Sequence, residues 1–375
     1  MNFKTPLGLF IYLFLISAFS GCKNPSAQTE TGAERYAVRD VWSPEQANEW
    51  YQEWGWLRGA DFLPSTAINQ LEMWQAETFD TTTINRELGW AKGIGMNAMR
   101  VYLHHLAWEI DPEGFRTRVD QYLTIADQHN ISTIFVFFDD CWNATYQSGK
   151  QPDPKPGIHN SGWVRDPGDL LHSDTTLFVT LEEYVKDVMT HFRDDERIVL
   201  WDLYNEPGNS GYRNKSLPLL KKVFRWGREV NPIHPLSVGL WDKSLVDLGR
   251  YQMDNSDVIT YHNYADRETH QQWIDSLRAY GRPMICTEYM ARTRNSLFKD
   301  IMPLLKEENI GAINWGLVAG KSNTIYAWDT PMPDGEEPEI WFHDIFRPDG
   351  RPYDIKEVEL IKELAAAEEE PVPAR

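Results

Sequence analysis

From residue 55 onward the chain alternates between two hydrophobic patterns. Short continuous runs rich in β-branched and aromatic residues occupy 55–62, 98–103, 133–138, 199–204, 236–241, 258–262, 284–288 and 311–317. Amphipathic stretches with helical spacing separate them, at 83–92, 115–129, 177–193, 217–230, 244–250, 268–280 and 296–308, and a last one lies at 355–367. Short apolar runs suit strands covered on both faces, and a strand followed each time by a helix is the signature of parallel βα units. Eight such units predict one α/β domain over 36–375, a (β/α)8 barrel. An open doubly wound sheet is the alternative. It calls for a glycine-rich phosphate turn after the first strand, and Gly59-Ala60-Asp61-Phe62 is not one.

Two connections are far longer than an ordinary βα loop, 139–174 and 318–353. Both leave the C-terminal ends of their strands, the face where barrel enzymes carry their sites. The first holds Trp142, Tyr146 and Trp163, and the second Tyr326, Trp328 and Trp341. These loops are expected to wall a substrate cleft, with Trp142 on its lining.

The first 22 residues follow neither pattern. Lys4 precedes a run from Leu7 to Phe19 that is apolar apart from Tyr12 and Ser17, and Ser20-Gly21-Cys22 follows. This is the layout of a signal peptide. Small residues directly before a cysteine further resemble a bacterial lipobox, which predicts lipidation of Cys22 and a lipoprotein of the cell envelope, on the periplasmic or cell-surface side. Residues 23–35 are polar and read as a flexible tether.

Composition narrows the classes. With 42% hydrophobic and 25% charged residues the 375-residue chain is globular, and a net charge of −19 argues against nucleic acid as a partner. Of three cysteines, lipidation of Cys22 leaves Cys141 and Cys286, too few for a disulfide framework. Neither a zinc signature nor any other metal or cofactor motif is evident. Aromatic content of 13%, with 16 Trp and 16 Tyr, suits the C–H faces of sugar rings as well as a core.

The chemistry concentrates at two strand ends. The fourth strand closes on Trp201-Asp202-Leu203-Tyr204-Asn205-Glu206-Pro207 and the seventh on Ile285-Cys286-Thr287-Glu288-Tyr289. Acidic residues are depleted in strands and unfavourable to bury, so an apolar strand that ends in Glu calls for an explanation. Strands four and seven face each other across an eight-stranded barrel, where their terminal carboxylates can reach the separation of about 5 to 5.5 Å that retaining glycoside hydrolysis requires. Glu206 and Glu288 are therefore the candidate catalytic pair. Spacing alone permits either to be the acid. Asp139, Asp140 and Asp242 also sit near strand ends; Asp139 and Asp140 are candidate acceptors for sugar hydroxyls. Asp202, lower on its strand, reads as a buried partner for Lys or Arg, and His104-His105 as a structural pair or part of the cleft lining.

Asn205-Glu206-Pro207 and Thr287-Glu288-Tyr289 resemble the acid/base and nucleophile motifs of the clan of (β/α)8 retaining glycosidases that includes glycoside hydrolase family 5, the cellulase and mannanase family. The resemblance implies that Glu206 is the acid/base and Glu288 the nucleophile. It implies that Arg100 supports the nucleophile, that Asn205 bonds the sugar 2-hydroxyl, that His262 and Tyr264 form the sixth-strand pair, and that Trp315 floors the subsite of the nonreducing-side sugar. Glu206 is then expected to have a pKa raised by repulsion from Glu288. Many family members carry a His after the third strand where this chain has Asp139-Asp140, so the sugar stays unassigned. The expected activity is hydrolysis of a β-linked polysaccharide or oligosaccharide, without a cofactor. A noncatalytic glycan-binding lipoprotein and a transglycosylase are the competing classes.

Overall fold

The computed structural model describes residues 38–366. Cys22, the signal segment and the tether lie outside the described residues. Among the described residues eight strands form one parallel sheet: β1 Arg58–Asp61, β2 Ala98–Tyr102, β3 Ser132–Asp139, β4 Ile198–Asn205, β5 Leu236–Ser237, β6 Ile259–His262, β7 Met284–Glu288 and β8 Gly311–Trp315. The order is β5-β4-β3-β2-β1-β8-β7-β6, with β1 joined to β8 in the register Arg58 to Ala312 through Asp61 to Trp315. Between β5 and β6 the ladder thins, yet Asp257 N donates to Leu236 O (2.8 Å), Leu240 N to Thr260 O (2.9 Å) and His262 N to Leu240 O (2.8 Å). The sheet is thus a nearly closed (β/α)8 barrel, as the alternation of patterns predicts.

The expected fifth strand, 236–241, contracts to two residues. Gly239 lies in the lost part, and a Cβ there would come within 2.8 Å of His262 Nε2. The chain gives up regular pairing at a point where the His262 ring needs the space.

Every residue of β2, β4, β7 and β8 is buried, as parallel strands enclosed by helices require. Outside the sheet, Phe137 stacks on Trp201 with ring centres 5.2 Å apart and meets Tyr184 of the helix Leu177–His191 at 5.3 Å. The N-terminal mouth is stoppered by a helix that the sequence pattern did not predict, Pro44–Trp54, with the Ser43 side chain accepting from Gln46 N and proline in the first turn. Its Ala47 and Tyr51 join a cluster with Leu57, Ala98, Ile134, Val258, Ile285 and Ile313, which lie at or near the starts of the strands. The bottom of the barrel is therefore sealed with apolar side chains. The top is left for polar ones.

The long connections carry little regular structure. The one after β3 runs to the short helix Leu170–Ser173, and the one after β8 to Ile355–Ala366. No helix among the described residues is long and apolar enough to cross a membrane.

Candidate active site

Glu288, the last residue of β7, points into the top of the barrel and receives three hydrogen bonds. Arg100 Nη1 donates to its Oε1 at 2.8 Å, the Tyr102 hydroxyl to the same oxygen at 2.9 Å, and the Tyr264 hydroxyl to Oε2 at 2.7 Å. Burial, reinforced by the Glu288 charge, pushes the Tyr264 phenol well above its usual range. Burial does the same to Tyr102 against the opposing pull of Arg100. Both phenols therefore remain O–H donors, and Glu288 accepts charge-assisted hydrogen bonds on both of its oxygens.

Arg100 is wholly enclosed. Its Nε and Nη2 bind Asp202 Oδ2 (3.0 and 2.7 Å), Nη1 binds Asp61 (2.8 Å), and Nη2 also reaches Asn205 Oδ1 (2.7 Å). One guanidinium thus bridges a cluster of three carboxyl groups and fixes the Asn205 amide. Asp202 is the buried arginine partner that its position predicts.

Glu206 follows β4 immediately, with φ at 43° in the left-handed region that non-glycine residues avoid. The turn is secured from below by Asp140, which accepts from the Tyr204 hydroxyl at 2.6 Å, from Gly208 N at 2.7 Å and from the Ser216 hydroxyl. The Glu206 carboxylate meets His262 Nδ1 at 2.8 Å and the Cys141 thiol at 3.3 Å, and accepts from the Asn209 amide. Burial alone would raise its pKa. The hydrogen bond and charge of His262, with help from Cys141 and Asn209, outweigh burial and hold it below the ordinary value. This corrects the expectation of a raised pKa. The repulsion invoked there is blunted because Arg100 neutralises Glu288 and because His262 stands between the two carboxylates, with Nδ1 also 3.5 Å from Glu288 Oε2. One oxygen of each carboxylate lies within 4.8 Å of the other.

Above the pair opens a cleft of about 670 Å³ lined by Trp142, Trp163, Trp241, Tyr264, Trp315 and Trp328 among others. Asp139 is on this lining, accepting from Trp163 Nε1 (2.6 Å), Asn205 Nδ2 (2.9 Å) and Cys141 N (2.9 Å). Burial raises its pKa to about 7. Asp140 is not on the lining. Its oxygens are taken by Tyr204, Gly208 and Ser216, so the structure assigns it to bracing the Glu206 turn in place of binding a sugar hydroxyl. His104 and His105 are likewise off the cleft, packed with Asp166 and Tyr146. Asp242 caps its own turn by accepting from Ser244 N.

The structure therefore gathers Glu206, Glu288, Arg100, Asn205, His262, Tyr264, Trp315, Asp139 and Trp142 at one barrel mouth. It adds Tyr102, Asp61, Cys141 and Asn209, which sequence reasoning missed. Tyr102 was within reach of that reasoning, because it lies two residues after Arg100 and shares its strand face.

Two clusters among the described residues bring three metal-ligand atoms within 4.8 Å of one another: Glu206, His262 and Glu288, and His104, His105 and Asp166. In the first, Arg100, Tyr102, Tyr264 and Asn209 already donate to the carboxylates. In the second, Asp166 accepts from the His105 ring and backbone N, while His104 Nδ1 accepts from Leu106 N. The carboxylates of both clusters are engaged by protein donors, while Nε2 of His104 and Nε2 of His262 are buried without a partner.

Comparison with known proteins agrees with this geometry. The model of the cellulase family, glycosyl hydrolase family 5, matches residues 58–321. Among solved structures, an exo-β-1,4-mannosidase from an Opitutaceae bacterium aligns with a TM-score of 0.60 at 17% identity, over 83% of this chain and 59% of its own. The chain thus spans less than two thirds of that enzyme. A hyperthermostable endo-1,4-β-D-mannanase from Thermotoga petrophila aligns with a TM-score of 0.55 at 17% identity, over 84% of this chain and 99% of its own. A family 5 subfamily 18 protein from Streptomyces cattleya, in complex with Manβ1-4GlcNAc, gives 0.58 at 11% identity, over 85% and 83%. No curated protein sequence matches. At these identities the solved structures speak for the fold, and the family match covers most of the chain. The chain belongs to glycosyl hydrolase family 5 and is a glycoside hydrolase.

Proposed function

We propose that the protein hydrolyses β-linked glycans of neutral sugars by double displacement, with Glu288 as nucleophile and Glu206 as acid/base. The observation that carries this reading is the approach of the two carboxylates to within 4.8 Å. So close an approach favours a retaining pair, since an inverting pair stands roughly 6.5 to 9.5 Å apart to admit a water. The donors around each carboxylate support this order of roles. Glu288, positioned by a guanidinium and two phenols, attacks the anomeric carbon as its carboxylate while the bond to the leaving oxygen breaks. Glu206, in its protonated form, hands that oxygen its proton as the bond breaks. Water then attacks the glycosyl ester, Glu206 takes its proton, and Glu288 leaves as carboxylate. A neutral substrate fits a lining that carries Asp139, Glu206 and Glu288, whereas its Arg165 is engaged with the Tyr212 hydroxyl at 3.0 Å.

The acid role of Glu206 is tested by leaving-group dependence. Glu206→Ala should lose about 10²- to 10⁴-fold in kcat/KM on alkyl β-glycosides, the usual contribution of general acid catalysis, and far less on dinitrophenyl β-glycosides. Equal loss on both would remove the role. His262 sets a second test. Glu206 must be protonated for the first step, so its pKa governs the alkaline limb of the kcat/KM profile. His262 lowers that pKa. His262→Gln should therefore move the alkaline limb to higher pH; an unmoved limb, or one shifted to lower pH, would contradict the coupling.

We also infer, from Ser20-Gly21-Cys22 at the end of the apolar leader, that Cys22 carries a lipid anchor to the bacterial cell envelope. Cys22→Ala should leave the protein in the soluble fraction of cells that otherwise hold it in the membrane fraction. Retention of the variant in membranes would refute the anchor.

A further inference from the structure

The cleft is closed at one end by loops fastened to one another. Between the connections after β3 and after β8, Asn160 N donates to Ser322 O at 2.8 Å, Met332 N to Gly157 O at 3.0 Å, and the Asn323 amide to Lys155 O at 2.8 Å, while His159 Nδ1 lies 2.8 Å from Tyr326 O. Gly157 marks the tightest approach: its φ is +65°, and a Cβ there would stand 1.5 Å from Met332 O. The connection after β1 joins them, with Lys321 N donating to Ser65 O at 3.1 Å and the Asn69 amide to Gly162 O at 2.8 Å. Three loops make one wall behind Trp163 and Trp315, whose rings are 5.5 Å apart. The space beyond those rings is about 20 Å³, room for a water molecule and not for a sugar.

Catalytic chemistry says which end this is. The acid stands beside the leaving oxygen, so the leaving part of the substrate extends past Glu206 toward Asn209, Ser210 and Trp241. The sugar attacked by Glu288 lies on the Trp315 side, against the wall.

Asn160 occupies the wall itself. It is 1% exposed, it lines both the cleft and the small cavity behind, and neither its amide nitrogen nor its amide oxygen has a partner. Its backbone is locked by Ser322 and by Trp163 N, which donates to Asn160 O at 3.0 Å. A buried amide with both functions unused is destabilising, and a sugar hydroxyl, donor and acceptor at once, is its complement.

We propose that the enzyme is exo-acting, admitting a single nonreducing-terminal sugar into the pocket closed by the loop bridge, with the Asn160 amide hydrogen-bonded to a hydroxyl of that sugar. This rests on the glycosidase reading above, and the experiment separates the two. The purified protein is given a β-1,4-linked pentaose with its reducing end converted to the alditol, cellopentaose or mannopentaose according to which aryl β-glycoside it turns over. The expected early products are free monosaccharide and the shortened tetraose alditol. Early appearance of a biose or triose alditol would show internal cleavage and overturn exo action, while leaving the glycosidase reading intact.

Asn160 is tested with monodeoxy aryl β-glycosides. Removing the contacted hydroxyl should lower wild-type kcat/KM by about 10- to 100-fold, the loss of one or two hydrogen bonds, and should scarcely affect Asn160→Ala further. Equal penalties in wild type and variant at every position would overturn the contact, and this readout is indifferent to any change in stability.

Discussion

Glu288→Gly should lower kcat on the order of 10⁵-fold, the scale of removing a covalent nucleophile, without unfolding the protein. The fold survives because Arg100 keeps Asp61 and Asp202 as partners when the third carboxylate is gone. The excision also leaves a hole at the anomeric face, bordered by the Tyr102 and Tyr264 hydroxyls and the guanidinium. Small anions suit such a site. Sodium azide should therefore restore turnover of dinitrophenyl β-glycosides and yield the α-glycosyl azide, because azide attacks from the side that Glu288 held. A variant that azide does not rescue, or a β-azide product, would mean that Glu288 is not the nucleophile. The latter would point to attack from the face of Glu206.

Arg100→Met should be nearly as damaging, for another reason. Asp61, Asp202 and Glu288 would be left buried without their counter-charge, and uncompensated burial of this kind costs about 3 to 5 kcal/mol. Burial already drives the Asp61 carboxyl well above its usual range even with Arg100 beside it. The variant should show a lowered Tm and negligible turnover, since Glu288 would lose its guanidinium partner and Asn205 its orientation. Arg100→Lys separates the two effects: it restores a charge but not the planar fork that spans Asp202, Asn205 and Glu288 at once. Its stability should recover in part while activity stays low. An Arg100→Met protein with the stability and turnover of the wild type would contradict the account of this cluster.

The residues that were legible in the sequence share a physical cause. Strands of a parallel barrel are apolar on both faces, so they stand out as continuous runs, and a glutamate ending such a run is conspicuous. Both carboxylates of the proposed pair, Glu206 and Glu288, stand out that way. The helix Pro44–Trp54 carries Ala47, Trp50, Tyr51 and Trp54 at helical spacing, but it precedes the first strand and so stands outside the strand–helix alternation from which the barrel is read. The fifth strand was overextended because its apolar pattern continues through 238–241, whereas the space at Gly239 belongs to the His262 ring. Asp139 and Asp140 looked equivalent as neighbours at a strand end. Adjacent side chains point to opposite faces, and only the fold shows that Asp139 lines the cleft while Asp140 braces the turn beneath Glu206.

The electrostatics were less legible than the placement. The acid was expected to be tuned by its partner carboxylate, and the structure puts His262 between them. That arrangement depends on β6, more than fifty residues along the chain from Glu206, and no local pattern carries it. The loop bridge is similar. Asn160, Gly157, Ser322 and Met332 belong to two long irregular connections whose contact is set by the closure of the barrel, which brings the loop after β3 and the loop after β8 together over the intervening β1 and β2.

Retention is the central claim, and the anomeric configuration of the first product reports it most directly. Proton NMR of wild-type hydrolysis of an aryl β-glycoside, followed before mutarotation sets in, should show the β-anomer of the free sugar first and the α-anomer only later. Initial formation of the α-anomer would mean inversion, and would contradict a nucleophilic Glu288.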